Sequence, residues 1–420
     1  MYRHYGRNPR RKEVVKTRCG CWQTGERRIC WAEYCTDTGV IMSLPAIVHS
    51  AATPVLTLAP MATLSHAALR SLIHDFGGCD LYFSEMVSAE AHLGGTPFER
   101  YYSEGAPDPG RLVYQLIGKR QETLIEAARR FGRLPCAGVD LNFGCSAPHI
   151  RKAGGGIAWT ADVDRAARLV DAVRRAVPAD RTVSVKLRLA DTGEPQHTVR
   201  LAQMLARAGA DFLTLHPRRM SDSYSRPARR GLLEVFAREL DLPLIGNGDV
   251  LTAEDVAAVR RTGATGVMIG RGAVAHPWLF ARLKGIAPAD IDRGAVAQRF
   301  HELLRQWQPA EFLLSRVRRF HHYFLASFPF GSRVAAQVQG LKSFEAVVGH
   351  VEDYFARFPR YRYVSQGSDR GGSTVSAIDA AWAGQAAVSL QPHEALIEHQ
   401  RPARILPAGR VVPFDVRLNQ

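Results

Sequence analysis

Short apolar runs alternate with amphipathic stretches from about residue 55 to residue 285. The runs cover 55–59, 81–84, 112–116, 138–141, 182–187, 211–215, 242–245 and 266–269, each of strand length. Between them, segments 119–131, 161–177, 198–208 and 253–262 repeat their apolar positions at helical spacing. Eight buried strands joined by helical crossovers predict an α/β fold, a (β/α)8 TIM barrel over 54–285. Residues 286–362 then read as helices that mix bases with aromatics and predict a C-terminal all-helical domain. Residues 1–53 read as a basic, cysteine-containing leader predicted to be disordered, and 363–420, rich in Gly, Ser, Ala and Pro, receive no assignment.

The polar residues at the strand ends change this from a fold to a site. The runs finish at or beside Pro60-Met61, Glu85, Gln115, Asn142, Lys186, His216, Asn247 and Gly270-Arg271. A strand must end in something polar, so one such residue means little. In a barrel of this kind, however, the C-terminal strand ends share one mouth, which is where active sites sit.

Three features of that mouth carry chemistry. Gly246-Asn247-Gly248-Asp249 follows the seventh run and Gly270-Arg271-Gly272 the eighth, the usual positions of a phosphate site in such barrels. Glycines there admit backbone N–H groups to an anion, and Arg271 adds a charged contact. Read as ordinary turns, the two loops need no ligand; together they favour a phosphate-bearing cofactor. Lys186 ends the strand Val183-Ser-Val-Lys186. With Gln115 and His216 it suits the edge of a flavin ring, and a Schiff-base lysine is the competing reading. Cys145 lies just past the fourth strand, before the basic loop Arg151-Lys152. It reads as a thiol acid, a thiolate or a packed free cysteine. Cys79 and Cys136 read as core.

Charge and composition bound the partners. Over 420 residues, Lys and Arg outnumber Asp and Glu by 55 to 40, a formal charge of +15 that favours a polyanionic partner. No apolar run is long enough to span a membrane and no secretory signal is evident, so a cytoplasmic location and no membrane partner are expected. The seven cysteines fit free thiols better than a disulfide framework. Four of them, Cys19, Cys21, Cys30 and Cys35, fall in the leader, but their spacing matches no common zinc module and no metal is expected. Translation starting at Met42 is another reading of the leader. A monomer is expected.

The order of motifs resembles the tRNA-dihydrouridine synthase family. Carrying the resemblance are Ala59-Pro-Met61, Ser84-Glu-Met-Val-Ser-Ala89, Gln115-Leu-Ile-Gly118, Asn142-Phe-Gly-Cys145, Val185-Lys-Leu-Arg188, His216-Pro-Arg218, Gly246-Asn-Gly-Asp249, and Gly270-Arg-Gly272 with Pro277-Trp-Leu-Phe280. It implies FMN as cofactor, NADPH as reductant and uridine in tRNA as substrate, reduced to 5,6-dihydrouridine. It further implies that Pro60, Met61, Ala62, Gln115, Lys186 and His216 contact the flavin, and that Asn247, Gly248, Asp249, Gly270 and Arg271 hold its phosphate side. Cys145 would protonate uracil C5 while hydride passes from flavin N5 to C6, with Asn142 and Arg218 facing the base. The family's helical domain grips tRNA, which suits the segment from Arg316 to Phe324 and its Arg316, Arg318 and Arg319. Departures from the family pattern are Ala62-Thr-Leu-Ser-His66 after the first motif, Ser146 in place of the usual Pro after the cysteine, and Pro217 between His216 and Arg218. Arg70 keeps the expected basic place. Two readings compete: a dihydroorotate or dihydropyrimidine dehydrogenase type of barrel flavoenzyme acting on a free base, and an RNA-binding protein with a degenerate barrel.

Overall fold

The strand-length runs pair in the order in which they occur. In the computed structural model, which describes residues 53–365 apart from 192–194 and 329 together with the backbone of 21–24 and 27–30, eight parallel strands close into a barrel. They are β1 Val55–Leu58, β2 Leu81–Phe83, β3 Leu112–Ile117, β4 Gly138–Phe143, β5 Thr182–Leu189, β6 Phe212–Arg219, β7 Leu244–Asn247 and β8 Gly266–Ile269. Closure is through β8 against β1 and β2 against β3. Helices α1 Ala67–His74, α2 Gln121–Gly132, α3 Val163–Ala176, α4 Gln196–Arg207, α5 Leu232–Glu239 and α6 Ala253–Arg261 lie in the connections.

Because strand side chains alternate between faces, each strand sorts its residues into two sets. Leu112, Tyr114 and Leu116 of β3, Val139 and Leu141 of β4 and Leu213 and Leu215 of β6 join the large core shared with the helices. The other parity faces the barrel interior. Leu81, Phe83, Val113, Ala137, Phe212, Ile245 and Met268 form a small apolar plug. Above it, nearer the C-terminal strand ends, the same parity turns polar: Gln115, Asp140, Asn142, Ser184, Lys186, Thr214, His216 and Arg218.

Four longer helices follow: α7 Arg293–Trp307, α8 Ala310–Ala326, α9 Gly331–Gly340 and α10 Phe344–Arg357. They belong to the same compact unit as the barrel, which spans residues 43–420, while residues 1–42 form a separate unit. Phe300 of α7 stacks on Phe320 of α8 at 3.7 Å between ring centroids and on His66 at 6.1 Å. Arg299 pairs with Asp75 at 2.8 Å. A two-stranded antiparallel ladder, Asp290–Asp292 against Tyr363–Ser365, ties the two ends of the helical segment. Sequence periodicity does not reveal it, because three residues on each side carry no pattern.

In the leader, Cys21–Thr24 and Arg27–Cys30 pair as an antiparallel ladder with Cys21 opposite Cys30. The rest of the leader and the region beyond residue 365 lie outside the described residues. Among the described residues, no helix is long and apolar enough to cross a membrane, and no group of three or more His, Cys, Asp or Glu side chains could hold a metal ion.

Candidate active site

Strand parity brings the polar side chains together at the mouth. Gln115 is fully buried and donates through Nε2 to Asp140 Oδ2 at 2.7 Å, while its Oε1 accepts from Asn142 Nδ2 at 2.8 Å. Asn142 Oδ1 then accepts from the backbone N–H of Gly144 at 3.1 Å and of Cys145 at 2.8 Å. The Cys145 loop is also held from behind, since Ile157 N donates to Cys145 O at 2.9 Å. Gly156, at φ +58°, makes that approach possible, because a Cβ there would fall 2.5 Å from Cys145 O. Trp159 stacks on Phe143 and donates to Gly118 O at 2.9 Å, which anchors the returning segment. The Cys145 thiol is partly exposed, and burial pushes its pKa above the ordinary thiol value. Between thiol acid and thiolate, the surroundings therefore favour the protonated acid.

On the neighbouring strands β5 and β6 the mouth is cationic, with Lys186 in register with Asn142 of β4. Lys186 makes no ion pair or hydrogen bond among the described residues, and burial, followed by the charge of Arg188, brings it down to about 8. Asp140, fully buried beneath it, is pushed up to about 6 by burial against the opposing pull of Ser184, Gln115 and Lys186. His216 is held far below the usual imidazole value by burial, then by Lys186, Arg188, Arg218 and Arg271. Arg218 Nη1 lies 3.0 Å from His216 Nε2. A guanidinium only donates, so Nε2 is the acceptor and the neutral ring carries its proton on Nδ1, leaving Nδ1–H as a donor.

The loops after β7 and β8 form a linked ion cluster. Asp249, at φ +52°, accepts from Arg218 Nη2 at 2.7 Å, Arg271 Nη2 at 2.9 Å and Ala228 N at 2.7 Å. Gly248, at φ +128°, lets this turn close over His216, whose Cδ2 would lie 3.2 Å from an added Cβ. Asn247 Nδ2 donates to Met268 O at 2.9 Å, which joins the seventh and eighth strand ends. Tyr224, half exposed, lies among three guanidiniums: Arg271 at 4.9 Å, and Arg188 and Arg218 each at 5.5 Å from its ring centroid. Pro60, Met61 and Ala62 are partly exposed beside these loops, with Met61 Sδ 3.3 Å from where a Gly270 Cβ would sit.

Four sequence expectations need correcting. Arg316 is not on a solvent-facing strip, because it is buried in an ion pair with Glu85 at 2.8 Å. Glu85, at the end of β2, also accepts from Thr63 N at 2.6 Å and so secures the departing turn after β1. Arg218 does not face an open base site; at 1% exposure it is enclosed by Asp249 and by the carbonyls of Tyr224 and Arg226. Asn142 has both ends of its amide engaged by Gln115 and the cysteine loop. The Asp249 carboxylate would repel a phosphate, and its position is that of a group orienting Arg218 and Arg271. Arg318 and Arg319 are half-buried, Arg319 lying 5.4 Å over the Tyr323 ring. Arg70 is buried and donates to the carbonyls of Ser65, Glu104 and Ala106. Cys79 and Cys136 are buried, as expected of core thiols.

Sequence reasoning missed Asp140, Arg188 and Tyr224. Parity was the available signal for two of them. Asp140 is two residues from Asn142, and Arg188 two from Lys186, so each shares its neighbour's inward face. Tyr224 sits on an irregular loop, where no period points to it.

The family model described as dihydrouridine synthase matches residues 57–327. The tRNA-dihydrouridine(16) synthase of Cupriavidus necator is 34% identical over 265 residues, 60% of this chain and 81% of that protein. Its counterpart of the same name from Ralstonia nicotianae is 30% identical over 319 residues, 72% of this chain and 96% of that protein. The probable tRNA-dihydrouridine synthase of Mycobacterium tuberculosis is 31% identical over 313 residues, 70% of this chain and 80% of that protein.

Proposed function

Since the chain belongs to the dihydrouridine synthase family, we propose that its barrel mouth uses FMN and NADPH to reduce the C5=C6 bond of uridine in tRNA to 5,6-dihydrouridine. The observation that carries the reading is a protonated thiol, Cys145, at the same mouth as the ammonium of Lys186, whose strand pairs with the one that leads into the cysteine loop.

The residues present fit an anionic flavin nucleotide. Lys186, Arg188, Arg218 and Arg271 outnumber the carboxylates Asp140 and Asp249 there, and Lys186 has no counter-ion of its own. Lys186 and the Nδ1–H of His216 would meet the electron-rich edge of the ring, while Gly248, Gly270 and Arg271 would meet the phosphate. Pro60, Met61 and Ala62 would border the cofactor, and Gln115, which has no solvent exposure, would lie beneath it at the floor of the mouth. When bound, FMN supplies the hydride that adds to uracil C6, and NADPH restores it. The chain's own contribution is the proton. Hydride addition leaves negative charge spread over C5 and the C4 carbonyl, and Cys145 Sγ–H donates to C5. A thiol kept protonated by burial performs this step without a prior proton transfer.

RNA is the substrate that the +15 surplus favours over a free base. Position 16 is the finer reading, supported by the names of the Cupriavidus and Ralstonia relatives. The test is to map dihydrouridine in cellular tRNA with and without the gene. Loss of the modification at position 16 is the expected outcome, and loss elsewhere would reassign the position. Unchanged tRNA, or a purified protein without flavin absorbance, would overturn the reading.

A further inference from the structure

We propose that Asp140 is a positioning residue: it fixes the direction of a chain of side-chain amides that ends on the backbone of Cys145. This rests on the reading of Cys145 as proton donor, although the geometry stands without it.

The chain runs across three neighbouring strands. Ser184 Oγ of β5 donates to Asp140 Oδ1 at 2.6 Å. Gln115 Nε2 of β3 donates to Asp140 Oδ2 at 2.7 Å. Asn142 Nδ2 of β4 donates to Gln115 Oε1 at 2.8 Å. Gly144 N and Cys145 N donate to Asn142 Oδ1 at 3.1 and 2.8 Å. Asp140, Gln115 and Ser184 have no solvent exposure.

A carboxamide presents a donor at one end and an acceptor at the other, and either can point either way. Only a group that is purely an acceptor or purely a donor removes that freedom. An ionised Asp140 accepts and does not donate, so Gln115 must turn Nε2 toward it. Gln115 Oε1 then faces Asn142, which must present Nδ2. Asn142 Oδ1 is left to face the loop, where two N–H groups need an acceptor. Reversing Gln115 alone sets Oε1 against the Asp140 carboxylate and Nε2 against Asn142 Nδ2; reversing Asn142 as well sets its Nδ2 against the two loop N–H groups, donor against donor. Lys186, whose charge favours ionised Asp140, supports this polarity from the rim. On its mouth side the loop has the two bonds to Asn142 Oδ1, complementing the one from Ile157 N behind it, and Ser146 lacks the ring that restricts the backbone in proline.

The test is amide hydrogen exchange on the full-length purified chain, read at the Gly144 and Cys145 N–H groups. Asp140→Asn can donate as well as accept, so the direction is no longer set. Exchange at these two amides should accelerate about tenfold, in keeping with one lost hydrogen bond to a charged-group network, with helix amides unchanged. Adding Gln115→Glu to that variant places the carboxylate one step along the chain. It accepts from the carboxamide introduced at position 140 and from Asn142, so protection at both amides should return. Should Asp140→Asn not fold, Gln115→Leu breaks the same chain and should accelerate the same two amides. Unaltered exchange in the first variant or in Gln115→Leu, or no recovery on adding Gln115→Glu, would overturn the proposal. In turnover of tRNA, Asp140→Asn should lower kcat and leave KM unchanged. Exchange requires no turnover, so a wild-type chain that reduces no uridine would overturn the functional reading and leave this test standing.

Discussion

At the residue scale, the proposed reaction draws its proton from one thiol, whose pKa burial raises. Cys145→Ala should leave flavin content and tRNA affinity in place and lower turnover by about 10²–10⁴-fold, the usual effect of removing a general acid. Single-turnover oxidation of reduced enzyme by tRNA is the measurement, and near-normal product formation would remove Cys145 from the reaction. How far such residues can be read from sequence depends on strand parity. Gln115, Asn142, Lys186 and His216 are visible because each breaks an apolar run near its end. Asp140 lies inside its run, where a lone acid between Val139 and Leu141 carries no end signal. Arg218 and Arg316 were identified as basic residues near a site, but basicity does not tell a solvent-facing guanidinium from one enclosed by carboxylate and carbonyls. That distinction needs the partners Asp249 and Glu85, which are 31 and 231 residues away in sequence.

At the element scale, the barrel strands were legible and the attachment of the helices was not. Strands buried on both faces write themselves as continuous apolar runs, which is why β1, β2 and β8 fall within a residue of their predicted bounds. β5 and β6 run on to Leu189 and Arg219, past their apolar portions, through a register shift beyond Arg188. No local pattern announces the Arg316–Glu85 pair, which joins α8 to the end of β2 and, through Thr63, to the turn after β1. With both side chains nearly inaccessible, Arg316→Leu would strand a buried carboxylate and should cost about 3–5 kcal/mol of stability. Adding Glu85→Leu should restore much of this, since replacing a buried pair by apolar residues is often near neutral. Urea unfolding of the two variants is the check; equal losses would mean that Glu85 is stabilised mainly by Thr63. A second helical contact is acid-sensitive. His301 of α7 and His321 of α8 meet through Nε2 at 2.7 Å, both buried. One imidazole donates and the other accepts, so the acceptor must be neutral, and burial keeps both of them so. Burial holds His301 down to about 3 and His321 well below the ordinary value. For a base whose folded pKa is depressed, stability is present above the unfolded value of about 6.5 and is lost as pH falls toward the folded one. Between pH 6.5 and 5 each of the two histidines should cost about 1.6 kcal/mol. A His301→Leu/His321→Leu variant should lose correspondingly less stability than wild type over that interval, and parallel stability curves would contradict the assignment.

At the scale of the whole molecule, the question is how a chain of formal charge +15 distributes that surplus over a long RNA. Much of it is internally used. Arg70, Arg218 and Arg316 are enclosed, and Arg174, Arg229 and Arg299 pair with Asp211, Asp222 and Asp75. Arg318 and Arg319 form no ion pair among the described residues, and Arg151 and Lys152, read in the sequence as a loop, are exposed at the end of a short helix, Pro148–Lys152, that follows Cys145. The helical and mouth-side positions predict different things. A phosphate contact releases condensed counterions, so each one lost lowers the salt slope of binding by about one and weakens all sequences alike. If α8 holds the RNA backbone, Arg318→Ala/Arg319→Ala should reduce the slope by about two, and uridine-containing oligonucleotides too short to reach α8 should be reduced as before. If the grip is at the mouth, Arg151→Ala/Lys152→Ala should produce that change and should also impair the short oligonucleotides, because the helix Pro148–Lys152 begins three residues after Cys145. Arg316→Ala should leave the salt slope of correctly folded protein unaltered, since its charge is already neutralised by Glu85. Filter binding of tRNA at several salt concentrations separates these cases, and a slope unaffected by both double variants would place the backbone contacts outside α8 and the cysteine loop.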